Sequence, residues 1–156
     1  MSATPPRLFR SSARRGFSDQ VTSNPARIFA RKVPREIQVE FAAVACAIQT
    51  PEGTVQAQPG DAILTGTAGE RWRVTRARFG EKYQPVAPTV AGSPGRYVSL
   101  PNQVVAVRMD EPFQVLLSDG QSLLTGRPGE WLVDYGDGSL GIIAAEIFAT
   151  TYRIEG

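Results

Sequence analysis

Two carboxylates three residues apart, Asp134 and Asp137, lie in the stretch Asp134-Tyr135-Gly136-Asp137-Gly138, shortly after Trp131. Paired acids beside flexible glycines suggest either a cation loop or an acid and base working together. A calcium loop needs more oxygen donors at regular spacing, and a glycosidase pair needs an acid whose pKa an apolar pocket raises. Asp-Gly and Tyr-Gly are also ordinary hairpin-turn pairs. Two readings follow: a ligand-binding loop made of Trp131, Asp134, Tyr135 and Asp137, or a structural turn.

A second constellation is Arg71-Trp72-Arg73-Val74 with Arg76 and Arg78. On a strand, period 2 places Arg71 and Arg73 on one face and Trp72 and Val74 on the other. The four arginines form either a patch for phosphates, nucleic acid or an acidic partner, or a solvated face partly neutralised by Glu70 and Glu81.

The absent residue types exclude much chemistry. With 0 histidines and a single cysteine, Cys46, histidine triads, ordinary zinc sites and intrachain disulfides drop out. No glycine-rich phosphate loop opens a long helix. A carboxylate-based enzyme would have to run on Asp61, Glu70, Asp134 or Asp137. The expectation is therefore a non-enzyme with no catalytic residue, metal or cofactor.

The elements that position these residues follow from composition and pattern. In 156 residues with 42% hydrophobic content there is room for a packed core. The longest apolar run, Phe41 to Ile48, is far too short to cross a bilayer and reads as a buried strand with Cys46 packed inside it. Neither a membrane partner nor a secretory signal is expected, and a lone thiol suits a reducing, cytoplasmic setting. Net charge is +2, yet residues 1–36 carry eight Arg or Lys against two acids. Residues 1–30 thus read as a flexible basic tail available to nucleic acid. Its Arg and Ser content also suits a transit peptide, although its prolines break any amphipathic stripe.

The chain also repeats itself. At an offset of 69 residues Pro59-Gly60-Asp61 meets Pro128-Gly129-Glu130, Gly69 meets Gly138, Val74 meets Ile143, Phe79 meets Phe148 and Tyr83 meets Tyr152. Upstream the register shifts to 67, where Pro34 meets Pro101 and Pro51-Glu52-Gly53 meets Ser118-Asp119-Gly120. The reading is two copies, 31–86 and 98–156, joined by a Pro/Gly linker at 87–97.

Inside each copy the alternation of Ile37, Val39 and Phe41, or of Val105, Val107 and Met109, predicts a half-buried strand. Further strands are expected near Ala43–Ile48 and Phe113–Leu117, at Ala62–Thr65 and Trp131–Asp134, and at Arg71–Val74 and Leu140–Ile143. A helical turn closes each copy, with Phe79 and Tyr83, or Phe148 and Tyr152, on one face and Thr75 as a cap. Leu140 and Ile142 are expected to pack against the other copy.

These segments resemble a family of small bacterial and phage proteins named for a Pro-Gly-Asp-Tyr-Gly motif. The resemblance rests on Arg31-Lys32-Val33-Pro34, Pro59-Gly60-Asp61, Gly69-Glu70-Arg71-Trp72, Phe79 and Tyr83 in the first copy. In the second it rests on Pro128-Gly129-Glu130-Trp131, Tyr135-Gly136, Gly138, Gly141-Ile142-Ile143, Phe148 and Tyr152. At the name-giving position the chain instead reads Asp137-Gly138-Ser139-Leu140-Gly141. The resemblance implies a bacterial or phage context and a fold, but no characterised activity.

The expected fold is mainly β, a β-rich α+β arrangement of two pseudo-repeated small units with short helical segments. The units either pack face to face or merge into a barrel-like domain. The expected function is a non-catalytic binding or accessory module for a protein partner or small anionic ligand. Nucleic-acid binding through the basic tail and Arg71–Arg78 comes second, and a carboxylate enzyme third.

Overall fold

The computed structural model describes residues 5–155, so residues 1–4 of the expected tail and Gly156 at the end of the second copy lie outside the described residues. Among the described residues fifteen strands and three short helices are formed. They divide into two units, one from Lys32–Asn102 and one from the residues up to Arg31 together with those from Gln103 onward. No helix is long and apolar enough to cross a membrane.

The Lys32–Asn102 unit contains β3 (Glu36–Phe41), β4 (Cys46–Thr50), β5 (Gly53–Ala57), β6 (Ala62–Thr65), β7 (Arg71–Val74), α2 (Arg76–Lys82), β8 (Tyr83–Pro85) and β9 (Gly95–Ser99). Its main sheet runs β7-β6-β3-β9-β8, with β4-β5 as a separate hairpin. Strand β3 follows the period-2 reading, since Ile37 and Val39 are buried while Glu36, Gln38 and Glu40 are exposed. Trp72 and Val74 turn inward on β7 against Ile37, Val39, Leu64, Phe79, Tyr83 and Tyr97. The rings of Phe79 and Tyr83 stack 5.1 Å apart, and Tyr97 meets Phe79 edge-on at 4.8 Å. Aromatic pairs in such geometries add about 0.5–1.5 kcal/mol beyond area burial. Thr75 occupies the N-cap position of α2, but its side chain makes no capping hydrogen bond.

The other unit contains β1 (Arg7–Arg10), α1 (Asp19–Thr22), β2 (Ile28–Lys32), β10 (Gln103–Arg108), β11 (Phe113–Leu116), β12 (Leu123–Gly126), β13 (Trp131–Asp134), β14 (Leu140–Ile143), α3 (Ala145–Thr151) and β15 (Tyr152–Glu155). Its main sheet runs β14-β13-β10-β2-β15, and a second sheet runs β1-β11-β12. Phe148 stacks on Tyr152 at 5.0 Å and on Trp131 at 4.1 Å. Strand β10 is buried on both faces from Val104 to Val107, more completely than its alternation suggested. Leu140 and Ile142 are buried on a strand that packs against β11 and β12 of its own unit, which corrects the expectation that they face the other copy. Both main sheets are open rows with two edges, so neither is a closed barrel.

The two main sheets share one strand order once positions are matched by the offsets of 67 and 69. Glu36 pairs with Val98, and their counterparts Gln103 and Arg31 pair with each other. Gln38 pairs with Thr65, as Val105 pairs with Asp134. Ala62 pairs with Val74, as Trp131 pairs with Ile143. The strand next to the central one is nevertheless exchanged. By sequence β2 heads the first copy and β9 the second, yet β2 lies beside β10 and β9 beside β3.

This exchange redraws the boundaries read from composition. Residues 87–97, taken as a linker, form the loop of a β8–β9 hairpin and the first half of β9. That loop is held by the Tyr97 hydroxyl, which donates to the Ser93 carbonyl at 2.7 Å and accepts the Gly92 N–H at 3.1 Å. Residues 5–30, taken as a tail, hold β1, α1 and most of β2. They are ordered by docking on distant residues, with Phe9 and Val21 buried, a contribution that local composition does not register. The apolar run Phe41 to Ile48 is likewise broken: Ala43, Val44 and Ala45 are exposed between β3 and β4, and Cys46 is half-buried.

Candidate functional site

The loop after β13 is built around Asp134, the last residue of that strand. Asp134 is fully buried, and its Oδ1 accepts the Gly136 N–H at 2.9 Å. Its Oδ2 accepts the Ser18 N–H at 2.6 Å, directly before α1. Charge-assisted bonds of this kind contribute roughly 1.5–3 kcal/mol each. Asp137 is also buried; its Oδ1 accepts the Ser139 N–H at 2.9 Å and the Ser139 hydroxyl. Tyr135 is half-buried beside the cluster of Ala30, Val104, Val133 and Phe148, with its ring lying across Gly141. Trp131 is half-buried on Phe148.

The structure thus brings the four residues of the acidic loop into one region, with both carboxylates holding backbone N–H groups. Over the loop runs the chain from Ser11 to Ser18. The Ser12 N–H donates to the Gly138 carbonyl at 2.7 Å and the Gly16 N–H to the Gly136 carbonyl at 2.9 Å. Ser11 Oγ accepts the Leu140 N–H at 2.9 Å. Sequence reasoning missed Ser11 and Ser18, because an edge-docking segment carries no periodic apolar signal.

Gly138 is where the two chains come closest. Its φ is +91°, and a Cβ there would fall on the carbonyl oxygens of Ser12 and Arg14. Gly138→Ala combines a left-handed penalty with a clash against backbone that cannot rotate away. We expect a loss of about 3 kcal/mol in urea unfolding and rapid tryptic cleavage at Arg14 and Arg15. Gly120→Ala, at φ +71° with nothing near its Cβ, should cost only about 1–2 kcal/mol. Equal losses in the two variants would show that the Ser12–Gly138 contact contributes nothing.

The four arginines differ in exposure and in partners. Arg71 is paired with Glu40 at 3.1 Å on the exposed face of β7. Arg73 is largely buried, 3.8 Å from Asp61, and donates to the Gln56 carbonyl at 2.8 Å. Arg76 is exposed at the start of α2, its side chain near Gly60, while Arg78 is half-buried. Asp61 also accepts the Gln58 N–H at 2.9 Å, closing a turn in which Gly60 has φ +90°. That combination of Pro59 and Gly60 is the type II pattern. Glu130 repeats the arrangement by accepting the Arg127 N–H at 2.8 Å. The last candidate acid, Glu70, folds over Gly66 beside Trp72, with Oε2 buried and lacking a hydrogen-bond partner. Among the described residues no cluster of three or more His, Cys, Asp or Glu has the geometry to hold a metal ion.

Compared with known proteins, residues 53–153 match the model of the family described as PGDYG protein. The match runs from the β4–β5 hairpin to the start of β15, so it takes in both the arginine strand and the acidic loop. No curated protein and no solved structure matches the chain.

Proposed function

Since the chain belongs to the PGDYG protein family, whose matched region includes the arginine strand and the acidic loop, we propose that it is a non-catalytic binding or accessory module for a protein partner. One observation carries this reading: Asp61, Asp134 and Asp137 each hold backbone N–H groups of turns. A carboxylate engaged in that way has acceptor oxygens occupied by the chain's own backbone, so it acts as part of the turn and not as a group aimed at a substrate. The acidic loop accordingly serves as the dock for residues 11–18, and its four residues act in binding only through the surface they support. The common register of the two units supports an origin by internal duplication. The lone thiol suits a cytoplasmic setting.

Arginine pairing weighs against nucleic acid as the principal ligand, because Arg71 and Arg73 are each matched to an acid. The test is cross-linking mass spectrometry on cells producing the chain, with and without nuclease. Protein adducts that persist after nuclease treatment are the expected result. Adducts lost with nuclease, together with a DNA affinity that falls steeply with salt and weakens in Arg76→Ala, would move the assignment to nucleic-acid binding.

A further inference from the structure

We propose that the open edge of β4 takes up an extended segment of a partner protein as a parallel strand. The segment carries an aromatic side chain seated by Ile48 and a serine two residues later, directed at the edge of β7. This rests on the protein-binding reading above and names the surface that performs it.

The pattern comes from the other unit, where the chain supplies such a segment itself. Strand β1 lies parallel to β11 with Phe9 opposite Val115. Phe9 is 2% exposed and meets Phe113 edge-on at 6.4 Å. Directly after it, the Ser11 N–H donates to the Leu116 carbonyl and Ser11 Oγ accepts the N–H of Leu140 on β14. By the offsets of 67 and 69, β11 corresponds to β4, Leu116 to Gln49 and Leu140 to Arg71.

Strand β4 has the same shape and lacks the same cover. Among the described residues it pairs only with β5, in a two-strand sheet. Its two-residue loop closes on the pair Thr50 and Gly53. Alternation along an antiparallel ladder then directs the backbone groups of Cys46, Ile48 and Thr50 to β5 and those of Ala47 and Gln49 to the open side. Ala47 and Gln49 are exposed where their counterparts Gln114 and Leu116 beside β1 are half-buried, and Cys46 is half-buried where Phe113 is fully buried, while Ile48 is buried as Val115 is. The preceding residues Ala43 to Ala45 are exposed as well, Val44 at 67%.

From Ala43 to Gln49 there is neither a charge nor a proline, the two devices that normally protect an edge from pairing. The side-chain volumes also leave room. The Phe113 ring lies on Gly126, where no Cβ would fit; the corresponding pair here is Cys46 and Ala57, adjacent partners in the ladder. A ring on the incoming strand meets a sulfur and a methyl group where Phe9 meets another ring. A second copy pairing β4 to β4 would bring only Ala47, Cys46 and Gln49 to that space, with no side chain large enough to fill it.

The probe is an acetylated synthetic peptide with the sequence of residues 5–12, titrated into the full chain labelled with nitrogen-15. Expected are saturable binding and amide shifts at Ala47 and Gln49. Replacing the peptide's phenylalanine by alanine should weaken binding roughly tenfold or more. Ala47→Pro should weaken it as much while leaving the β4–β5 bonds intact, because the N–H it removes faces outward. Absence of saturable binding, or shifts confined to residues 113–116 by exchange with β1, would overturn the proposal. Self-association of the free chain abolished by Ala47→Pro would overturn it in favour of a second copy. If the peptide fails while nuclease-resistant protein adducts map to another surface, only the β4 assignment falls. If both fail, the protein-binding reading falls with it.

Discussion

Deletion of residues 1–24 is expected to unfold the unit formed with Gln103 onward and to leave Lys32–Asn102 folded. The deletion removes two buried apolar side chains, Phe9 and Val21, whose burial contributes roughly 1.5–3 kcal/mol each. It also takes the Ser18 N–H from Asp134 Oδ2, leaving a buried carboxylate short of a donor at a cost of about 1–3 kcal/mol. Phe113 and Val115, 0% exposed in the intact chain, lose the strand that covers them. Together these losses come to about 4–9 kcal/mol, against the roughly 5 kcal/mol at the lower end of the stability of a whole domain. The two tryptophans make the outcome readable, since Trp131 belongs to the affected unit and Trp72 to the other. In the deletion variant a Trp72→Phe background should show solvent-exposed Trp131 fluorescence without denaturant. The reciprocal Trp131→Phe background should retain a cooperative transition. Native Trp131 emission after deletion would mean that residues 1–24 are a dispensable arm.

The same segment marks where local reading of the sequence stops. Turn chemistry and periodicity located what is decided within a few residues: the Pro59-Gly60 and Pro128-Gly129 turns, the alternation of β3, and the stacked pairs Phe79–Tyr83 and Phe148–Tyr152. Strand β1 has one buried residue in four and so no period to detect; its order comes from an edge about a hundred positions away. Strand β9 was concealed for a different reason. Gly95 and the prolines before it carry the composition of a connector, yet Tyr97 among them is one of the largest fully buried side chains. In the acidic loop, residue types identified a turn and its glycines. They did not reveal that Asp134 is completed by Ser18, because that bond spans 116 positions.

Strand exchange yields the strongest contrast between two fragments of nearly the same sequence. Residues 31–86 contain the whole first copy as sequence alignment draws it, while 32–102 follow the structural unit. The shorter fragment lacks β9, which lies between β3 and β8. Without it β3 loses the pairing from Glu36–Val98 to Val39–Gly95, and β8 loses its partner. The core also loses Tyr97, whose ring meets both Phe79 and Phe41 and whose removal alone would cost about 3–5 kcal/mol, as for other large buried aromatics. An isolated unit of this size has little stability to spare. We therefore expect 32–102 to unfold cooperatively in urea with dispersed amide resonances, and 31–86 to show neither. Adding a synthetic peptide of residues 93–102 to 31–86 should restore both signals at high peptide concentration, by mass action on the missing strand. If 31–86 folds as well as 32–102, the β3–β9 pairing is not what holds the unit together, and each copy would have to pair with its own leading strand.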